Sequence, residues 1–466
     1  MPCPAVLVDA ATLTPEAVAV ACPVRLIAST DDRASLPPYA VATGFKAAVG
    51  SICLLPGQDG TGIAAVLLGT GDGKDPYTSP FAAGDLARKL PAGLYRLADH
   101  TPQEQAGQAA LAWMLGAYAF DRYKSKASDE ALACLLWPAG VDRVAVEALA
   151  AAFALVRDLV NTPAADMGPQ ELEDTARALA DQYGAGMTSI IGDDLLHAGY
   201  PAIHAVGASS PRAPRLLDLR WGDADAPKVT LVGKGVVFDT GGLDLKPASA
   251  MKLMKKDMGG AAHALGVALL VMAHKLPIRL RVLIPVAENA VSGTAMRPGD
   301  VLQTRKGLTI EVNNTDAEGR LILADALTEA DSESPEVLID FATLTGAARV
   351  ALGTDLPALF SNNDALAADL LTASTDSADP LWRLPLWPGY RSQVESKVAD
   401  LDNAPEGGMA GAITAALFLE RFVSPDTPWA HLDTYAWNGK PRPGHPTGGN
   451  ALGMRAVFTA LHSRFG

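Results

Sequence analysis

The sequence predicts an α/β protein of two domains, a smaller N-terminal α/β domain and a larger C-terminal one whose mixed, mostly parallel sheet is flanked by helices. Three observations carry that expectation. Beyond residue 161, short apolar runs alternate with segments of helical period, the pattern of a sheet crossed by helices on both faces. Residues 141–160 read as one Ala/Leu/Val-rich helix ended by Asn161-Thr162-Pro163, a natural junction. With 466 residues, 49% hydrophobic and 19% charged, the chain has enough apolar content for more than one folded core. The expected division is 1–140 for the first domain, 141–160 for a linker helix and 161–466 for the second.

In the first domain Val6-Leu7-Val8 and Ala64-Ala65-Val66-Leu67-Leu68 are strand-like, and Gly107 to Ala117 is helical. Gly69-Thr70-Gly71-Asp72-Gly73-Lys74 follows a strand as a phosphate loop would, but it lacks the Walker spacing, and Asp75 stands where Ser or Thr is needed. In the second domain Gln170 to Gln182 reads as a helix, Ile203-His204-Ala205-Val206 and Arg215-Leu216-Leu217-Asp218-Leu219 as strands, and Lys228 to Val232 as a buried strand. Leu308 to Val312, Val337 to Ala342 and the helix Ala412 to Phe422 complete the alternation. Gly444 to Asn450 reads as a surface loop.

Charge narrows the class of partner. The chain has 38 Lys and Arg against 52 Asp and Glu, a formal charge of −14, which discourages nucleic acid or an anionic membrane as the main partner. The longest nearly apolar run, Ala264 to Ala273, is about half of the roughly 20 residues a membrane span requires. No basic and apolar leader opens the sequence, so a cytoplasmic protein is expected. The four cysteines, Cys3, Cys22, Cys53 and Cys134, are scattered without Cys-x-x-Cys spacing and read as free thiols.

The chemistry is concentrated in Asn313-Asn314-Thr315-Asp316-Ala317-Glu318-Gly319-Arg320-Leu321, between a strand and a helix, where α/β folds keep their sites. Asp316 and Glu318 are two apart and in extended chain would point the same way. Two parallel carboxylates resist joint ionisation unless a cation sits between them, although Asp and Glu at such a place can also serve simply as helix caps. A second polar group follows the strand Lys228 to Val232. Lys234 lies between two glycines, Asp239 precedes the Gly241-Gly242 pair, and Lys246 comes after it. Lys256-Asp257 then leads through small residues into a helix. His263, His274 and His431 are better explained by packing, and no His-Glu-x-x-His or Gly-x-Ser-x-Gly is present. Asp239, Asp257, Asp316 and Glu318 form an oxygen-rich set suited to hard divalent ions, with Lys234 a further donor if deprotonated.

Asn314 to Leu321 resembles the signature of the leucyl aminopeptidase family of dinuclear metallopeptidases. Val232 to Asp239, Lys246-Pro247, Lys256 to Ala262 and Ala342 to Ala347 match the family's other blocks in order. The resemblance implies a metal-dependent aminopeptidase, a hydrolase that removes the N-terminal residue of peptides, with residues 161–466 as its catalytic domain. It implies two divalent ions per subunit, zinc or manganese with magnesium or cobalt as alternatives. One would be held by Asp239, Asp316 and Glu318 and the other by Lys234, Asp239, Asp257 and Glu318, with a hydroxide between them. Lys246 would stabilise the oxyanion, and Arg320 would hold a bicarbonate acting as base. Met254, Asn314, Thr343, Leu344 and Gly346 would border the substrate, with apolar first residues such as Leu preferred. A homohexamer is also implied. Thr240, Leu243-Asp244 and the stretch from Tyr435-Ala436-Trp437 onward depart from the family's commonest form.

Two other readings compete: a scaffold or DNA-binding regulator on the same fold, and an amidase for another small amide. The acidic balance and the lack of a Lys/Arg-rich stretch in residues 1–140 argue against DNA. Substrate profiling separates the amidase.

Overall fold

The computed structural model describes residues 6–125 and 131–466; Cys3 lies outside them, and Cys22, Cys53 and Cys134 are free thiols. The chain forms two compact units, Met1–Ala154 with Asn438–Thr447, and Leu155–Trp437 with Gly448–Gly466. Both are α/β, as the alternation of elements predicts.

The first unit is built on six strands in the spatial order Leu7–Val8, Ala133–Leu136, Gly93–Leu97, Cys22–Ala28, Ile63–Gly71, Ile52–Pro56, with only the last pair antiparallel. Helix Gln103–Ala117 buries Leu111, Trp113 and Leu115, and the Trp113 indole N–H donates to Ala133 O at 2.9 Å. Lys74 in the glycine-rich loop is exposed and pairs with Asp72, so nothing there is arranged for a phosphate.

In the second unit the strands Trp429–Asp433, Val337–Ala342, Lys228–Gly233 and Arg279–Asn289 run parallel at the centre of a nine-stranded sheet, and Gly235–Asp239 extends alongside the end of Arg279–Asn289. Antiparallel strands occur toward its edges. Helix Gly259–Ala273 is buried along nearly its whole length, which explains why its sequence is apolar on every face. No helix among the described residues is long and apolar enough to cross a membrane.

Two expectations are corrected. Residues 203–206 are not a strand but part of helix Pro201–Gly207. Proline opens that helix at its first position, and the Asp325 carboxylate accepts the N–H groups of Ala202 and Ile203 at 2.8 and 3.1 Å, capping it from a distant helix. The stretch 444–450 is not a surface loop. Gly444 and His445 are buried, with His445 edge-on to Phe81 at 4.5 Å, and Gly448–Gly449 forms a buried two-residue strand, with Gly449 N–H donating to Asn161 Oδ1 at 2.8 Å. Asn438–Thr447, within the range the sequence assigns to the second domain, folds with the first unit.

Candidate metal centre and substrate cavity

The parallel strands deliver the polar residues to one end of the sheet, the carboxyl end, where α/β sheets bind ligands. Lys234 follows Lys228–Gly233, and its backbone is fixed on both sides: its N–H donates to Phe341 O at 3.0 Å and its carbonyl accepts Ala261 N–H at 2.8 Å. Asp239 ends the strand Gly235–Asp239, Thr343 follows Val337–Ala342, and Asp433 ends Trp429–Asp433. Glu318 opens helix Glu318–Asp331, and Asp316 sits in the turn before it instead of in extended chain.

Two ammonium–carboxylate groups result. Lys234 Nζ lies 2.7 Å from Asp257 Oδ2 and 2.8 Å from Glu318 Oε1, and all three side chains are almost fully enclosed. Lys246 Nζ lies 2.8 Å from Asp239 Oδ2 and also contacts Asp316 Oδ1. Further donors fix the anions. Thr343 Oγ1–H reaches Asp257 Oδ1 at 2.7 Å, while Asp239 Oδ1 accepts Gly241 N–H at 2.9 Å and Asn289 Nδ2–H at 2.8 Å. Asp257 thus turns inward to Lys234 and does not cap the helix after it. Gly319 packs closely beside this site: a Cβ there would come within 2.6 Å of Lys234 Cε, so the end of the lysine would have to shift.

Four carboxylates face two lysines, and the imbalance appears in their acidities. Burial and the neighbouring Asp239 push Glu318 up to about 8 and Asp316 up to about 6. Burial works against the charge of Lys234, but Asp257, Glu318 and Asp239 outweigh it and hold the ammonium above its ordinary range. Burial pulls Lys256 down to about 8 and Arg320 to about 10. A carboxylate set under this strain is relieved by a cation. One oxygen each from Asp239, Asp316 and Glu318 lies within 4.8 Å of the others, and buried Glu318 Oε2 has no hydrogen-bond partner among the described residues. These residues therefore suit a hard divalent ion.

The cavity over the carboxylates has a volume of about 610 Å³. Lys234, Asp239, Lys246, Met254, Asp257, Asn314, Asp316, Arg320, Thr343, Leu344 and Gly346 all line it, whereas Glu318 lies behind them against Lys234. Every site residue expected from sequence is thus gathered at one place. The histidines are elsewhere engaged: His263 Nδ1 faces Gly259 O at 2.6 Å while Nε2 accepts Leu452 N–H, His274 Nδ1 faces Leu270 O, and buried His431 pairs with Asp340 at 2.6 Å.

Sequence reasoning missed the support that holds the site's turns and carboxylates in place. Asn403 Oδ1 accepts the N–H groups of Asn313 and Asn314 at 2.9 and 3.2 Å, and its carbonyl accepts from Arg320. Asp433 accepts Leu344 and Thr345 N–H. Asp244, one of the departures from the commonest family form, accepts Thr315 N–H at 2.7 Å and so anchors the residue before Asp316. Asn289 could have been suspected as a polar residue closing a buried strand; Asn403 carries no local signal.

Residues 154–458 match the catalytic domain of the cytosol aminopeptidase family, and residues 28–138 match the N-terminal domain of the M17 aminopeptidases. A "probable cytosol aminopeptidase" of Syntrophotalea carbinolica is 43% identical over 397 residues, 81% of this chain and 78% of that protein. The crystal structure of the cytosol aminopeptidase of Coxiella burnetii is 46% identical, covers 99% of both chains and superposes with a TM-score of 0.90. The bottromycin maturation enzyme BotP in complex with Mn is 35% identical with a TM-score of 0.87, covering 95% of this chain and 99% of that one. With both domains matched and the carboxylate site assembled, the chain belongs to the cytosol aminopeptidase family and is a metal-dependent aminopeptidase.

Proposed function

We propose that the protein releases the first residue of peptides at the cavity over Asp239, Asp316 and Glu318, using two divalent ions. The observation that carries this reading is the convergence of those three carboxylates, one oxygen of each within 4.8 Å of the others, with the buried Glu318 Oε2 lacking a hydrogen-bond partner among the described residues. Asp239, Asp316 and Glu318 would hold one ion; Lys234, Asp239, Asp257 and Glu318 would hold the other. Bound there, the ions supply Lewis acidity toward the scissile carbonyl and acidify water into a nucleophile.

The chain's own groups do the rest. An ammonium has no lone pair, so Lys234 must release its Nζ proton before it can act as a ligand. Lys246, on the more open side, offers its Nζ to the carbonyl oxygen as negative charge develops there. Arg320, in the first turn of its helix, is the group that would hold bicarbonate, the base for the proton of the attacking water. Met254, Thr343, Leu344 and Gly346 border the side chain of the first residue, with Asn314 at the rim, and the apolar members favour Leu. The Mn complex of BotP supports manganese as an ion of the site, with zinc, magnesium and cobalt to be compared. The family resemblance supports a homohexamer in the cytoplasm.

The test is hydrolysis of aminoacyl amides and dipeptides by chelated protein given zinc, manganese, magnesium or cobalt in turn. The expected outcome is no turnover without metal, recovery with at least one ion, and a strict need for a free α-amine. Equal hydrolysis of N-acetylated substrates would transfer the protein to the amidase class, and turnover in the fully chelated state would end the two-ion reading.

A further inference from the structure

Lys256 has no role in the site so far described. It is only 5% exposed, yet it lines the cavity. A buried ammonium without an acceptor is costly, and among the described residues Lys256 Nζ forms no ion pair or hydrogen bond; its one direct contact of this kind is with the ring face of Tyr435, 4.8 Å from Nζ to the centroid. The nearby carboxylates are committed elsewhere: Asp257 to Lys234 and Thr343, and Asp433 to the N–H groups of Leu344 and Thr345 and to the Thr345 hydroxyl. Arg349 also lies over the Tyr435 ring, at 5.5 Å, and lines the same cavity without an ion pair among the described residues.

These two cations flank the place where the first side chain is expected. Lys256 is two residues beyond Met254, and Arg349 is one helical turn beyond Gly346 on helix Gly346–Leu352, hence on the same face. Once the four carboxylates are neutralised by divalent ions, Lys256 and Arg349 leave this wall of the cavity positive.

We infer that Lys256 and Arg349, set around Tyr435, form an anion subsite that selects substrates bearing a carboxylate next to the scissile bond, foremost an N-terminal Glu or Asp. The inference rests on the aminopeptidase reading and deepens it. Leu and Glu are both admitted, because the methylenes of Glu lie along Met254 as Leu does while its carboxylate reaches Lys256. Glu is then distinguished from Gln by charge alone, since the two have nearly the same shape.

The experiment compares kcat/KM for the p-nitroanilides of Leu, Glu and Gln, which carry no C-terminal carboxylate, in the metal-loaded wild type, Lys256→Gln and Arg349→Gln. The expected wild-type preference for Glu over Gln is about tenfold or more, the size of one hydrogen bond to a charged group, and Lys256→Gln brings it close to one. A second arm compares Leu-Gly with Leu-Gly amide; a preference for the free acid that is lost in Lys256→Gln, with Glu and Gln alike, would assign the subsite to the terminal carboxylate of short peptides. Equal rates in both arms, or preferences untouched by both substitutions, overturn the inference while Leu turnover leaves the aminopeptidase reading intact. Failure of all substrates, Leu included, would instead count against that reading. Retention of the Glu preference in Arg349→Gln alone would overturn the part assigned to arginine.

Discussion

The two lysine–carboxylate groups are built from the same chemistry and differ in enclosure. Around Lys234 every member is almost fully buried, with side-chain exposures of 3% for Lys234, 3% for Asp257 and 1% for Glu318; around Lys246 the lysine is 13% exposed and Asp316 32%, with Asp239 at 3%. The difference follows from where each lysine sits. Lys234 is pinned by backbone hydrogen bonds between a central strand and a buried helix. Lys246 follows the Gly241-Gly242 turn, where both glycines have positive φ, and reaches the carboxylates from the rim of the cavity. A charge already held between two fixed carboxylates is occupied by them, whereas a charge nearer the rim can also meet a substrate. The enclosed group therefore suits a tightly held ion and the open one an exchangeable ion together with the reacting carbonyl.

The largest effect should come from Glu318, which with Asp239 is common to both proposed ion sites. Glu318 touches Lys234 through Oε1, and one of its oxygens lies within 4.8 Å of one oxygen each of Asp239 and Asp316. Glu318→Ala is expected to lose detectable turnover and to lower bound metal from two ions toward one or none, read by mass spectrometry of metal content. Asp316→Ala should also abolish turnover but keep one ion, because Asp316 belongs to the open group alone. Two ions retained in Glu318→Ala would dissolve the comparison.

How much of this was legible in the sequence depends on how far apart the partners lie. The run from Asn313 to Leu321 and the segment from Lys228 to Lys246 are contiguous, so strand, turn and ligand types could be read together. The supports are not contiguous. Asn289 donates to Asp239 from a strand 50 residues away, Asn403 grips the Asn313–Asn314 turn from about 90 residues away, and Asp325 caps a helix 123 residues before it. That last contact also explains the misread stretch 203–206: four residues are too few to reveal a helical period, and the capping carboxylate is supplied in space. Lys256 was legible only as a neighbour of Asp257, since its meaning depends on Tyr435 and Arg349.

The next effect in size separates the lysines themselves. Lys246→Ala should keep both ions and lower kcat by about 10²–10³, the usual cost of one donor to a developing oxyanion. Lys234→Ala should weaken the enclosed ion directly, because it removes a proposed ligand and leaves Asp257 uncompensated in a buried place. Single-turnover rates at saturating metal, taken with metal content, distinguish the two. If Lys246→Ala lost metal while Lys234→Ala kept it, enclosure would not be the property that divides their roles.

The smallest effect tests the sealed group through its support instead of its ligands. Thr343 Oγ1–H donates to Asp257 Oδ1 at 2.7 Å, and Asp257 belongs to the enclosed group alone. Thr343→Val keeps the shape of the side chain and removes only the hydroxyl, so Asp257 loses the bond that fixes its rotation while Asp239, held by Asn289 and Gly241, is untouched. Partners of this kind usually contribute about 10–100-fold to metal affinity. In a calorimetric titration of chelated protein with manganese, the tighter of two binding steps is expected to weaken by that factor and the looser one to stay within about twofold of wild type, the sites being coupled only through Asp239 and Glu318. Asn289→Ala provides the contrast, since Asp239 is shared and both steps should weaken together. Equal weakening of both steps in Thr343→Val would mean that the two groups respond as one, and enclosure would then describe their surroundings without dividing their work.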